Sequence, residues 1–157
     1  MLQVFRSLPI VHAVHRRDTL PASAHGYTQD TITLGWEERL KARGRRRSDG
    51  GVEFGTTLPR GAALREGDCL VLEGPAVVVT VVERPEPVLI VEPRTAAEWG
   101  LYAYYIGNSH HPVMIADRGL VCPDGPGMEQ VLLQHGIAYS RSNLPFTPVG
   151  LLLDHRH

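Results

Sequence analysis

Histidine is the residue type in this sequence with the clearest potential for chemistry, because the 157-residue chain contains eight of them. It is also the commonest protein ligand of late transition metals. Two adjacent histidines, His110 and His111, follow residues 104–109, and His155 and His157 lie at the C-terminus. These positions predict metal binding in the second half of the chain. Four histidines are expected to have no such role: His12, His15, His25 and His135.

His110 and His111 are expected to have different roles. Neighbouring side chains in an extended segment point to opposite faces, so the two rings would not chelate one ion together. We expect His110 to be the ligand, with further donors supplied by other parts of the fold or by a second copy of the chain. If a two-fold symmetry axis passes beside this histidine, the same histidine of the second copy lies at the site as well, and no other residue is required. The alternative is that both are ordinary loop residues.

Two further groups of side chains could donate to a metal ion. His155 and His157 are two residues apart on an expected flexible tail, where both rings could reach one ion and release it easily, as a carrier requires. The alternative is a tail whose histidines are incidental. Cys122 is expected to be a small buried residue and could join the site as a thiolate only if it lies near His110. Cys69, inside an apolar run, is expected in the core.

Composition excludes several classes of protein. The 16 Lys and Arg residues are balanced by 17 Asp and Glu residues, so nucleic-acid binding is not expected. No apolar run approaches the roughly 20 residues that span a bilayer, and the N-terminus lacks the pattern of a signal peptide. We therefore expect a cytoplasmic protein without a membrane role. Sequence motifs of hydrolases, nucleotide-binding enzymes and zinc proteases are missing, so no enzyme is expected.

The first half of the chain predicts a β-rich domain. Short runs of β-branched or apolar residues at 31–34, 52–54 and 69–72 alternate with turn-forming residues. Between them, Arg43–Arg47 holds four arginines and no apolar residue. Such a stretch is usually a solvated loop or a strand edge, and the alternative is a docking patch for an acidic partner. We predict that these arginines serve docking and not folding.

The second half predicts mixed α and β structure. Apolar runs at 77–82 and 88–91 indicate buried strands. Thr95 and Glu98 form a capping-box pattern for a helix that ends near Gly107 and Asn108. Short strands at 113–115 and 120–122, a helix at 127–135 and a strand at 137–139 complete a ferredoxin-like βαββαβ order from residue 88. The expected division is a β-rich domain 1–74, a ferredoxin-like domain 75–148 and a tail 149–157.

Four segments in this order resemble landmarks of the urease accessory protein UreE family: residues 31–43, 58–68, 104–110 and 143–148. The resemblance implies an α+β protein with a peptide-binding-like N-terminal domain and a ferredoxin-like C-terminal domain. It implies a nickel metallochaperone that delivers Ni²⁺ for urease active-site assembly, as a homodimer joined through its C-terminal domains. It further implies that His110 holds the interfacial ion, that His155 and His157 assist, and that the partners are the urease accessory GTPase and the apo-urease assembly complex.

The sequence also departs from that family. Tyr105 stands where many members have a histidine, Ser109 replaces the usual basic residue, and a common His-x-His pair has no match in residues 122–126. Accessory metal sites are therefore not expected. Imidazole suits Zn²⁺ and Cu²⁺ as well as Ni²⁺, so ligand type alone does not select nickel. The alternative function is a protein-interaction adaptor whose β-domain binds partner peptides, with incidental metal binding.

Overall fold

The computed structural model describes residues 7–149, and these form two compact units. The chain divides after Glu83, later than the boundary after Gly74 that the sequence suggested. The reason is the apolar strand Val77–Glu83, which pairs in register with Thr28–Leu34 on one side and with Cys69–Leu72 on the other. This strand therefore belongs to the core of the N-terminal unit.

The N-terminal unit is built from two three-stranded sheets, as a β-rich domain requires. Its elements are β1 (Ile10–Val11), β2 (Thr28–Leu34), α1 (Trp36–Leu40), β3 (Arg43–Arg47), β4 (Glu53–Thr57), β5 (Cys69–Leu72) and β6 (Val77–Glu83). One sheet has the strand order β1-β4-β3 and the other has the order β2-β6-β5. β2 and β6 run parallel, so a long stretch of chain must cross between them. Buried Ile32, Phe54 and Val79 share one core.

The C-terminal unit has the ferredoxin-like order that the sequence predicted. Its elements are β7 (Glu86–Val91), α2 (Ala96–Asn108), β8 (Met114–Ala116), β9 (Gly119–Pro123), α3 (Met128–Gln134) and β10 (Ser140–Leu144). The sheet order is β10-β7-β9-β8, and all its neighbouring strands are antiparallel. Leu89 and Leu120 of the sheet pack with Ile106 of α2 and Leu132 of α3 in one core. The α+β fold class is confirmed.

Two local details differ from expectation. The last strand covers Ser140–Leu144 and not residues 137–139, because Ile137 is buried in the core just after α3 while β10 is a polar edge strand. At the start of α2, the Thr95 hydroxyl accepts from the backbone N–H of Glu98 at 3.1 Å. The Glu98 carboxylate accepts from the N–H of Arg94 and not from that of Thr95. In residues 7–149, no helix combines the length and apolar character needed to cross a membrane.

Candidate metal-binding site

His110 is the exposed residue that ends the turn after α2. Ser109 is the C-cap of the helix, and the N–H of His110 donates to the carbonyl of Gly107 at 3.0 Å. The φ angle of His110 is +60°, so this histidine adopts the left-handed conformation that glycine or asparagine usually supplies after a helix. The sequence had suggested Gly107 or Asn108 for that role. The backbone of His110 is thus held in place while its ring faces solvent.

The ring of His111 is tied to the protein and half-buried. Its Nδ1 lies 3.0 Å from the hydroxyl and 3.1 Å from the carbonyl oxygen of Ser109. The hydroxyl of Ser109 donates its own hydrogen to the carbonyl of Ile106 at 2.6 Å, so it accepts from Nδ1. The other side of the ring lies near Gly127, at the start of α3. A β-carbon on Gly127 would be 3.7 Å from Nε2 of His111. His111 therefore braces the turn that presents His110.

Cys122 is a core residue in the middle of the C-terminal unit. It is fully buried in β9 and packs with Leu89 and Leu132. Burial raises the pKa of its thiol to about 12, so the free thiol stays protonated near neutral pH. Cys69 is fully buried as well. The expectation that both cysteines are structural agrees with this packing.

Tyr105 makes an aromatic contact. Its ring stacks on that of His135, with centroids 3.9 Å apart and planes 8° from parallel. His135 follows α3 directly, so the stack joins α2 to α3. No local sequence pattern indicated this pair, because the two residues meet only when the helices pack side by side.

The donors expected around His110 are only partly within the described structure. Within residues 7–149, no three His, Cys, Asp or Glu side chains come together in a way that could hold a metal ion. His155 and His157 lie outside the described residues, so their role stays a prediction. Two large apolar side chains of α2, one turn apart, are exposed: Leu101 at 45% and Tyr104 at 63%. Such a patch is typical of a surface that contacts another protein.

The four arginines of β3 do not share one environment. Arg46 is buried at 7% exposure, and its guanidinium donates to the Thr56 hydroxyl and to the backbone carbonyls of Glu38 and Lys41. The prediction that the whole stretch serves docking and not folding is therefore wrong for Arg46. The hydrogen bonds of Arg46 connect the end of α1 to the sheet. The other three arginines of the strand are exposed, as expected of a strand edge: Arg43, Arg45 and Arg47.

Arg39, in the segment that carries the family resemblance, also has a structural role. Its side chain is fully buried, and Nη1 donates to the carbonyl of Leu64 at 3.3 Å and to Glu83 at 3.4 Å. Glu83 also accepts from Arg65 at 3.0 Å. This network ties α1 to the end of β6. Arg39 therefore stabilises the fold of the N-terminal unit.

Comparison with known proteins finds one family on both units. Residues 9–83 match the N-terminal domain of the UreE urease accessory protein, and residues 86–157 match its C-terminal domain. Both matches are similarities of whole domains and not of short motifs. They support the family resemblance that the four sequence segments indicated.

Individual relatives have the same description, "Urease accessory protein UreE". The protein of Verminephrobacter eiseniae (strain EF01-2) is 35% identical over 124 residues, which cover 76% of this chain and 73% of the relative. That of Streptococcus vestibularis is 32% identical over 114 residues, covering 73% and 75%. That of Burkholderia vietnamiensis (strain G4 / LMG 22486) is 36% identical over 118 residues, covering 75% and 58%.

The chain spans somewhat more than half the length of the Burkholderia relatives that it matches. The shared description is of a protein accessory to urease, so the prediction that the chain is not an enzyme is confirmed at the level of the family. The recognition of the family from sequence is confirmed as well. On the domain matches and on these identities, the chain belongs to the UreE urease accessory protein family.

Proposed function

We propose that this protein is a cytoplasmic nickel metallochaperone that delivers Ni²⁺ for assembly of the urease active site. The observation that carries the proposal is His110, an exposed imidazole on a backbone fixed by the end of α2 and by the bracing of His111. The family description, a protein accessory to urease, supplies the process that the ion serves. An exposed ligand on a fixed backbone suits a carrier, because a carrier must both bind its metal ion and release it.

The chemistry of the donors fits Ni²⁺ without excluding its neighbours. Neutral imidazole binds Ni²⁺, Cu²⁺ and Zn²⁺, and the general order of affinities favours copper over the other two. Zn²⁺ or Cu²⁺ could therefore occupy the same site. We propose that selective delivery comes from the partners that accept the ion, the urease accessory GTPase and the apo-urease assembly complex.

We further propose that the site is completed in a homodimer. A two-fold axis beside His110 would bring a second His110 to the same ion. The exposed apolar side chains of Leu101 and Tyr104 on α2, the helix that precedes His110, provide surface for such a contact. His155 and His157 would add two further imidazole donors to this ion.

The test compares three single variants by calorimetry and equilibrium dialysis with Ni²⁺. His110→Asn removes the imidazole while keeping a residue that tolerates the left-handed conformation, and His110→Ala removes the ring entirely. Both should lose tight nickel binding and keep their circular dichroism spectrum. His111→Ala is the matched control. It should still bind nickel tightly, with a smaller loss of affinity than the His110 variants show, because the His111 ring braces the turn.

Two outcomes would contradict the proposal. Tight nickel binding retained by both His110 variants would show that the ligand lies elsewhere. A wild-type protein that binds no Ni²⁺, Zn²⁺ or Cu²⁺ would favour the adaptor function, in which the histidines are incidental. Stoichiometry adds an independent measurement, because an interfacial site predicts about one tightly bound ion for each dimer.

A further inference from the structure

The free edge of β3 combines two features that a binding surface for an extended chain requires. β3 is the outer strand of the sheet β1-β4-β3, so β4 is its only neighbour in the sheet within residues 7–149. Its side chains alternate between the two faces. Arg46 lies on the buried face, and three arginines lie on the exposed face: Arg43, Arg45 and Arg47.

The register shows which backbone groups of β3 point away from β4. Beyond one end of the strand, the N–H of Leu58 donates to the carbonyl of Ala42 at 2.9 Å. Beyond the other, the N–H of Ser48 donates to the carbonyl of Val52 at 2.9 Å. Hydrogen-bonded pairs alternate with non-bonded pairs in an antiparallel ladder, so the even-numbered residues of β3 bond to β4. The outward-facing N–H and C=O groups are those of Arg43, Arg45 and Arg47.

The same three residues therefore offer unpaired backbone groups and positive side chains. Their side chains repeat at every second residue, about 6.6 Å apart along the strand. Arg45 makes one long ion pair with Glu53, at 3.5 Å, in which both side chains are more than half exposed. Within the described part of the chain, Arg43 and Arg47 have no carboxylate partner. Two positive charges on this edge thus lack a counter-charge.

We propose that the β3 edge is a docking site for an acidic segment of another protein, which binds as an added β-strand. The backbone of the segment would pair with the outward groups of β3, and acidic side chains at every second position would face the three arginines. This inference goes beyond the metal-carrier function and does not depend on it, since all its residues lie in the N-terminal unit.

An acidic polypeptide fits this edge better than a nucleic acid does. Single-stranded nucleic acids bind surfaces that combine positive charge with aromatic side chains on which bases stack. None of the residues of β3 or β4 that share the exposed face is Trp or Tyr: besides the arginines, they are Glu53, Gly55 and Thr57. Arginines on an edge strand can also serve only to prevent aggregation. Binding of a matched peptide distinguishes that role from docking.

The test uses the full-length protein and a fluorescent nonapeptide with Glu at every second position and Thr or Val between. Its control peptide has the same composition with the glutamates contiguous. We expect the alternating peptide to bind measurably in low salt and more tightly than the contiguous one. The variant Arg43→Gln/Arg45→Gln/Arg47→Gln should weaken binding by at least about tenfold. The charge-matched control Arg17→Gln/Arg60→Gln/Arg118→Gln, at exposed positions elsewhere, should bind within about twofold of wild type.

A backbone variant separates strand pairing from simple charge attraction. Proline is tolerated on a free edge because the N–H that it removes faces outward. Arg45→Pro should therefore keep the thermal unfolding midpoint near that of Arg45→Gln while binding the alternating peptide more weakly than Arg45→Gln does.

Several results would overturn the proposal. The first is that the alternating peptide does not bind. The second is that the contiguous peptide binds as tightly as the alternating one. The third is that the charge-matched control variant loses as much affinity as the β3 variant. Equal binding by the proline and glutamine variants would exclude strand pairing. Tighter binding of a single-stranded oligonucleotide, lost in the same triple variant, would identify a nucleic-acid surface instead.

Discussion

Arg46 shows how strongly the environment of a single residue determines its role. It differs from Arg45 by one position, yet its guanidinium is buried and donates to three oxygens, while that of Arg45 is largely exposed. Successive side chains of a strand point to opposite faces, so a run of identical residues must divide between the core and the solvent. The carbonyls of Glu38 and Lys41 at the end of α1 both accept from the Arg46 guanidinium.

This contrast gives a prediction at the residue scale. Arg46→Gln should lower the free energy of unfolding by about 2 kcal/mol, because it removes charged donors from acceptors that are partly buried. Arg45→Gln, with the same change of type at the neighbouring position, should stay within about 0.5 kcal/mol of wild type. Urea denaturation measures both. Equal effects of the two variants would show that the burial of Arg46 does not matter for stability.

At the scale of elements, two carboxylates join β2 to the turn between β3 and β4. Asp49 accepts from the hydroxyl of Thr31 at 2.6 Å and from that of Thr33 at 2.9 Å. Asp30 accepts from the hydroxyl of Ser48 at 2.5 Å and from the N–H of Gly50 at 3.0 Å. β2 belongs to one sheet and the turn connects two strands of the other. These bonds therefore link the two sheets of the N-terminal unit.

The same bonds predict how stability depends on pH. The Thr31 hydroxyl lowers the pKa of Asp49, and the Ser48 hydroxyl lowers that of Asp30. A carboxyl whose pKa is lower in the folded state contributes stability above its unfolded value, near 4, and loses it as the pH falls through the folded value. Unfolding in urea between about pH 7 and about pH 2.5 should show this acid loss.

The matched variants for this prediction are Asp49→Asn and Asp117→Asn. Asp49→Asn should be less stable than wild type at neutral pH and should lose less stability in acid, because the group that titrates is gone. Asp117→Asn changes an exposed turn residue and should follow the wild-type curve. An Asp49→Asn curve parallel to that of wild type would show that this carboxylate does not contribute to the acid transition.

At the scale of the whole molecule, the two units have separate cores and distinct candidate roles. The proposed metal ligand lies in the C-terminal unit, and the basic β3 edge lies in the N-terminal unit. The proposed dimer would use the exposed side chains of α2. Tyr104→Glu places a charge in that patch without disturbing the core, since Tyr104 is 63% exposed.

If α2 forms the dimer contact, Tyr104→Glu should shift the protein toward monomer and weaken nickel binding in parallel. A charge buried at an interface without a partner is strongly unfavourable. Sedimentation velocity gives the oligomeric state and calorimetry gives nickel affinity for the same samples. A Tyr104→Glu protein that remains dimeric and binds nickel as wild type does would place the contact elsewhere.

The C-terminal tail provides a second prediction at this scale. Deletion of residues 155–157 should lower the number of Ni²⁺ ions bound while leaving the dimer and the tightest site intact, because it removes two imidazoles and keeps His110. Dialysis at saturating Ni²⁺ counts the ions, and calorimetry measures the tightest site. Loss of all nickel binding on deletion would instead identify the tail as the main site.

The sequence by itself determined the features that depend on neighbours along the chain. The ferredoxin-like order of the C-terminal unit followed from apolar runs and from the capping pattern at Thr95, since these signals act over a few residues. The residue type of His110 and its place after a helix predict its role as a ligand. The family resemblance rested on four short segments and was confirmed over both units.

Only the tertiary structure decided the features that depend on residues far apart in the chain. The strand Val77–Glu83 belongs to the N-terminal unit because it pairs with β2, from which α1, β3, β4 and β5 separate it in the chain. Arg46 has a structural role because one face of β3 is buried. Tyr105 stacks on His135 because α2 and α3 pack together. Strand pairing and burial depend on which distant segments of the chain pack together. A local pattern of residues does not predict which segments these are.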